Sequence, residues 1–264
     1  MKKIALTSLL AALVASGASA ASKNVLDGNP LYMPAKGHFV SETSIGSNSH
    51  NDHDWALTEH FGWGITDRFS IGLQSSVTER AFFENFSWNE IALDAAWRVM
   101  GEGAWKLDLV GGYEVTPMRA FHASLFDKEE TFYFWNAGLR TGYVSKDWTL
   151  MAHANFIYAN SRSFNWAYDD EMNTNHRLNL GFGGHWEFSD DWSAVATADY
   201  YKVLDKYFSA DNPGVWELAG GLNFNFDATK YLGVYITKEL AHVGEGTWEM
   251  QNGFGFGAKF GIDF

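Results

Sequence analysis

From Gly253 to Phe264 apolar and polar positions alternate without a break. Phe254, Phe256, Ala258, Phe260, Ile262 and Phe264 share one face. Gly255, Gly257, Lys259, Gly261 and Asp263 share the other. A period of two marks a β-strand with two unlike faces. The same period recurs in Trp105-Lys106-Leu107-Asp108-Leu109. It recurs again where Leu178, Leu180, Phe182 and Trp186 lie opposite Arg177, Asn179 and His185. Glycine is unusual inside ordinary strands, and here it falls on the polar face, where the crowded interior of a barrel needs small residues.

Short turn signals punctuate these runs: Ile65-Thr66-Asp67-Arg68-Phe69, Gly101-Glu102-Gly103-Ala104, Ser145-Lys146-Asp147, Ser189-Asp190-Asp191 and Asp227-Ala228-Thr229-Lys230. The segments between them are longer, irregular and rich in aromatic and charged residues. Regular spacing of this kind also fits a propeller. The alternation of short turns with long loops instead fits an up-and-down barrel that crosses an outer membrane. About twelve strands are predicted, at 38–46, 55–65, 69–78, 89–100, 105–116, 131–144, 148–159, 174–188, 192–202, 215–226, 231–242 and 252–264. An even count places both ends on the periplasmic side. Pro30 and Pro34 precede the first predicted strand, and Pro117 and Pro213 fall in predicted outer loops, as expected of a residue that cannot donate to a ladder.

Composition supports this reading. The chain holds 12 Trp and 26 Gly, and 17% of its residues are aromatic. No stretch beyond the first residues is apolar for long enough to form a membrane helix. Trp63, Trp97, Trp105, Trp148, Trp186 and Trp192 flank the short turns. Trp55, Trp88, Trp135, Trp216 and Trp248 lie toward the long loops. Two aromatic girdles at the boundaries of a bilayer would account for both sets. The competing reading is a soluble β-sandwich or propeller with tryptophans in its core.

The first residues read as an export signal. Lys2 and Lys3 precede the apolar run Ile4–Ala15, and Ala18-Ser19-Ala20 is a small-residue cleavage site. The expected organisation is a signal peptide at 1–20, a flexible periplasmic lead at 21–37 and an outer-membrane barrel at 38–264. That lead is too short to be a passenger or a repeat domain. The chain has no cysteine, so no disulfide framework supports it. A net charge of −13 argues against nucleic-acid partners.

On these residues the chain resembles bacterial outer-membrane β-barrel proteins, over Gly37 to Phe264. The most specific element is the closing aromatic strand. The resemblance implies that Phe264 acts in the recognition signal for the barrel-assembly machinery. It also implies outer-membrane lipid and lipopolysaccharide as surroundings. The strand count is similar to that of small substrate-specific channels, without a residue motif to narrow the family.

Assigning the apolar phase to lipid fixes the inward set. It contains Glu90, Asp94, Arg98, Lys106, Asp108, Glu114, Arg140, Arg177, Asp199, Glu217, Glu239 and Lys259, with His153, Asn155, His185 and Glu187. Glu90, Glu114, Glu217 and Glu239 fall toward the outer mouth. Arg98, Lys106 and Arg140 fall toward the periplasm. An acidic mouth attracts cations. The expected function is a porin-like channel for small solutes, modestly cation-favouring. A lumen filled by ion pairs, in a structural or adhesive surface barrel without transport, is the alternative. Inward Gly181, Gly183, Gly221, Gly255 and Gly257 favour open space.

No enzyme, cofactor or metal site is expected. His50, Asn51, Asp52, His53 and Asp54 read as a solvated loop rather than a metal centre, since a site needs converging ligands and an outer shell. Outer-membrane phospholipases carry His, Ser and Asn on the lipid-facing wall. The nearest pattern here is His153-Ala154-Asn155 followed by Ser161-Arg162-Ser163-Phe164-Asn165, with Asn155 where the serine should stand and with His153 turned inward. Phe82, Phe83, Phe86, Phe121, Phe126, Phe164, Trp166 and Tyr168 fall in the outer loops, to bind surface glycans or to pack together. Finally, Ser41, Thr43, Glu59, Ser75 and Lys238 fall on the lipid-facing phase. A β-bulge that turns them inward is the preferred explanation, and a homo-oligomer interface the other.

Overall fold

A computed structural model describes residues 29–48, 55–80, 85–101, 103–119, 129–162, 174–204, 214–241 and 253–264. The predicted signal peptide, the loop segment His50–Asp54, most of the outer-loop aromatics, Trp248 and Pro213 lie outside the described residues.

Twelve antiparallel strands close into one barrel. They are β1 (Phe39–Asn48), β2 (Trp55–Thr66), β3 (Phe69–Arg80), β4 (Asn85–Met100), β5 (Trp105–Arg119), β6 (Glu129–Val144), β7 (Trp148–Arg162), β8 (Thr174–Glu187), β9 (Trp192–Val203), β10 (Val215–Asp227), β11 (Lys230–Ala241) and β12 (Phe254–Asp263). Each strand pairs with its sequence neighbours, and β1 pairs with β12 from Val40↔Asp263 to Asn48↔Gly255. Closure gives every strand a neighbour on both sides. The seam is finished by reciprocal backbone bonds of 2.8 Å between Phe39 and Phe264. Their rings continue in a stack with Trp63, at 6.3 and 5.7 Å between centroids.

We call the end with the short connections the turn end and the other the loop end. Both the start of β1 and the end of β12 lie at the turn end. The barrel is not of even height. β1 and β12 have 10 residues each, whereas β4 and β6 have 16. The extra residues lie toward the loop end, beyond the predicted limits. Pro117 is thereby part of β5, where it stands opposite Thr131 of β6, rather than in a loop. It is tolerated because β5 pairs with β4 only as far as Val115↔Ile91. At its position β5 has a register partner on the β6 side alone, so fewer ladder bonds depend on its N–H.

The outer wall is largely apolar. Leu57, Phe61, Leu73, Leu93, Leu139, Leu150, Phe182, Val234, Ile236 and Phe256 all project from it. Trp63, Trp97, Trp105, Trp148, Trp186 and Trp192 form an exposed band near the turn end. Trp88, Trp135 and Trp216 stand nearer the loop end. Most of the charged side chains point inward. This is the reverse of a soluble barrel, whose core is its apolar side.

The expectation of a flexible lead at 21–37 fails for its described part. Asn29, Leu31, Tyr32 and Met33 are buried, Leu31 completely. They do not hang below the barrel but lie inside its turn end. The cause is local: Leu31-Tyr32-Met33 is an apolar triplet that would otherwise remain in solvent, and the barrel mouth offers it an apolar and hydrogen-bonding seat.

Candidate functional site

The lumen gathers the ionisable residues into two regions of different character. At the turn end, β4, β5 and β6 set Arg98, Asp108 and Arg140 directly opposite one another. Asp108 is fully buried. Arg98 donates to it from Nε at 2.8 Å and from Nη2 at 3.1 Å. Arg140 donates from Nη2 at 2.8 Å and from Nε at 3.1 Å. A fork-shaped guanidinium on each side satisfies the carboxylate, as burial requires. Lys106 lies apart from this triad and donates to the carbonyl of Gly101 at 2.5 Å.

The N-terminal segment, residues 29–37, is buried from Asn29 to Pro34 and sits on that network. Arg98 Nη2 also donates to the Leu31 carbonyl at 2.7 Å. Asn29 Nδ2 donates to Thr149 Oγ1 on β7 at 3.1 Å. The Tyr32 hydroxyl donates to Asp263 Oδ2 at 2.7 Å, and His38 Nδ1 lies 2.9 Å from Asp263 Oδ1. Burial, the hydrogen bond to Asp263 and the charge of that carboxylate push the Tyr32 hydroxyl well above the ordinary tyrosine range.

Toward the loop end carboxylates meet carboxylates. Glu90 is buried and accepts from Gln74 Nε2 at 2.8 Å and from Ser76 Oγ at 3.3 Å. Glu114 stands opposite Ala92, two residues along from Glu90, and accepts from Thr116 Oγ1 at 2.6 Å. Arg177 reaches this region with its guanidinium over the Phe134 ring at 5.5 Å, close enough to Glu114 for their charges to interact. Farther round the wall, Glu217 faces Asp199 on one side and Glu239 on the other. His153 Nε2 lies 3.0 Å from Asp199 Oδ1 and 2.8 Å from Asn179 Oδ1.

Between the two regions lie further ionisable residues. His60 Nε2 lies 3.1 Å from Asp94 Oδ1, and the Asp94 side chain is 44% exposed although it points inward. Lys259 rests its ammonium 5.4 Å from the centroid of the Tyr231 ring. The hydroxyl of Tyr231 donates to Glu42, an inward acid that the sequence reading left out. The strict alternation of β1, with Glu42 between outward Ser41 and Thr43, was signal enough to find it.

On the outer wall the preferred β-bulge is not found. The β1–β2 register runs unbroken from Phe39↔Trp63 to Ser47↔Trp55, and the β2–β3 register shifts only at Gly64/Thr66. Glu59 therefore shares the outward phase of Leu57 and Phe61. It is satisfied by its neighbours: Ser41 donates to one oxygen at 2.6 Å and Thr43 to the other. Beside it, Ser75 accepts from Trp88 Nε1 at 2.9 Å. The polar wall group is a local hydrogen-bonded cluster. Lys238 shares the outward phase of Ile236 and Leu240. No trio of metal-ligating side chains converges among the described residues. His153 and Asn155 share the inward phase of the buried Met151 and Ile157, away from the outer wall.

No protein-family model matches the chain, and no curated protein matches it in sequence. Solved structures do match in fold. The transport unit of the autotransporter AIDA-I from Escherichia coli superposes with a TM-score of 0.53 at 11% identity, covering 86% of this chain and 90% of that one. The translocator domain of the autotransporter NalP from Neisseria meningitidis gives 0.51 at 11%, covering 87% and 88%. An outer membrane channel from Pseudomonas putida F1 gives 0.53 at 10%, covering 93% and 100%. At such identities the likeness is one of fold: this chain is a closed β-barrel of the architecture found in outer-membrane proteins.

Proposed function

We propose that the chain is an outer-membrane porin-like channel through which small solutes diffuse, with a modest preference for cations. The observation that carries this reading is the sorting of side chains by strand phase. Aromatic and aliphatic residues cover the outside, while carboxylates, guanidiniums and amides fill the inside. Such a wall suits lipid, and such a lumen suits water. The exposed Asp94 and the amide atoms Asn155 Oδ1 and Asn179 Nδ2, which lack protein partners, favour solvent at mid-height. On this reading the strands span the bilayer, both termini are periplasmic, and residues 1–20 are removed on export. Phe264, whose backbone closes the seam, presents the terminal signal to the assembly machinery.

The preference for cations rests on Glu90, Glu114, Glu217 and Glu239 near the outer mouth, since an acidic entrance raises the local cation concentration. Reversal potentials in planar bilayers under a KCl gradient test it. A positive selectivity for K+ is expected, and a clear preference for Cl− overturns it.

A second reading, a surface barrel without transport, is favoured by the buried segment across the turn end and by the fully buried triad around Asp108. Liposome swelling separates the two, because a non-conducting barrel admits no sugar. Catalysis forms no part of either reading.

A further inference from the structure

Residues 29–37 do more than fill space at the turn end. Immediately before β1 the chain turns back at Gly37, which has a φ of +82°, and then runs across the mouth. Gly37 N donates to the Gly64 carbonyl at 2.7 Å, and Gly64 N donates to the His38 carbonyl at 3.0 Å. Tyr32 reaches Asp263 of β12, Leu31 reaches Arg98 of β4, and Asn29 reaches Thr149 of β7. In a ring of twelve strands β7 stands diametrically opposite β1. The segment thus crosses the lumen from β1 to β7, touching β2, β4, β7 and β12 on the way.

The barrel wall is shaped to receive it. A Cβ on Gly64 would collide with the carbonyl oxygens of Pro34 and Ala35, and its nearest neighbours are all backbone atoms of this segment. Backbone cannot swing aside as a side-chain tip can. Gly142 likewise leaves room for the Leu31 side chain. The anchors are also unlike ladder bonds. Apart from the backbone bonds at Gly64, they are a few side-chain contacts, concentrated on Arg98 and Asp263, and so can break without unzipping a strand.

We infer that residues 29–37 are a latched plug that seals the turn end of the lumen, held by Arg98 and Asp263 and seated in the notch at Gly64. The inference rests on the channel reading only for its consequence, that release of the plug opens a path.

The absence of native cysteine allows a direct test on the mature protein reconstituted in liposomes. A single Leu31→Cys reports access to a water-soluble maleimide, and planar bilayers report conductance. Leu31→Cys should be protected in the otherwise native barrel. Adding Gly64→Ala should raise its labelling rate by about tenfold or more. Deletion of residues 29–36 provides a second variant that does not depend on tolerance at Gly64. Folding of each is checked by the heat-dependent mobility of the barrel. Protection, release and a conductance that rises in Gly64→Ala and in the deletion support both plug and channel. Protection and release with no conductance in any form support the plug and remove the channel. Fast labelling of Leu31→Cys in the native background overturns the plug. A full-length barrel that conducts as well as the deletion overturns it too.

Discussion

The two ends of the lumen handle buried charge in opposite ways. At the turn end Asp108 lies between Arg98 and Arg140, and opposite charges cancel at hydrogen-bond distance. At the loop end Glu217 faces Asp199 and Glu239, and Glu90 lies diagonal to Glu114. Gln74, Ser76 and Thr116 donate to Glu90 and Glu114, Arg177 lies near Glu114, and His153 lies against Asp199. A matched network is a lock, because removing any member strands a charge. Carboxylates set side by side favour nearby cations, because like charges oppose ionisation unless a positive charge comes near. The contrast gives the molecule one end where opposite charges are paired and another where acids stand side by side. That is the arrangement a cation-favouring mouth over a plugged base would need.

The sharpest way to break the contrast is at Asp108. Asp108→Ala leaves two buried guanidiniums without their acceptor and should destabilise the folded barrel by about 3–5 kcal/mol. Urea unfolding in lipid vesicles measures it, and a loss below about 1 kcal/mol would show that the triad is solvated rather than locked. The plug should respond next. Tyr32→Phe removes the donor to Asp263 and should weaken local closure by about 1 kcal/mol, read as faster labelling of Leu31→Cys with little change in global unfolding. The Tyr32 hydroxyl is held in its neutral form by the fold, so its contribution is fully present below the unfolded tyrosine pKa of about 10 and is lost as pH rises above it. Labelling should accordingly accelerate in alkali in the native chain and lose that dependence in Tyr32→Phe.

On the outer wall, Glu59→Leu exchanges a carboxylate that faces lipid for an apolar side chain. It should stabilise the barrel by about 1 kcal/mol, the loss of two hydroxyl partners offsetting part of the gain. A marked destabilisation instead, or a change in oligomeric size in mild detergent, would revive a subunit interface at this patch. The smallest effect is expected at the loop end. Glu217→Gln relieves repulsion within a row of acids, so stability should hold or rise slightly while the K+ preference falls. An unchanged reversal potential would remove this row from the selectivity of the mouth.

Much of this was legible in the chain. Alternation in segments such as Phe254–Phe264 was enough to count twelve strands and to assign their phases, because a period of two leaves no third choice for a side chain. The site was legible only in part. That Arg98, Asp108 and Arg140 are inward follows from alternation; that they are neighbours follows from register, which sequence does not state. Ser41, Thr43, Glu59 and Ser75 stood out as polar residues on an apolar phase. Whether a bulge hid them depended on hydrogen bonds between strands: the β1–β2 ladder is continuous, and the β3–β4 shift at Ser76/Val77 leaves Ser75 on the outward phase. The plug was missed because Asn29–Gly37 has no periodicity and contains two prolines, the marks of a linker. Its apolar triplet and the glycines at 62 and 64 near the first turn were the signals available.

What the sequence determined by itself is therefore one-dimensional: the number of strands, the inside and outside of each, the tryptophan bands and the aromatic closing strand. These depend on local period and on the preference of apolar groups for an apolar solvent. What only the tertiary structure decided is which distant residues meet. Closure of the ring brought Asp263 beside Tyr32, carried Asn29 across to Thr149 and aligned three acids on β9, β10 and β11. Such contacts depend on register and ring geometry summed over all twelve strands, and no local pattern encodes them.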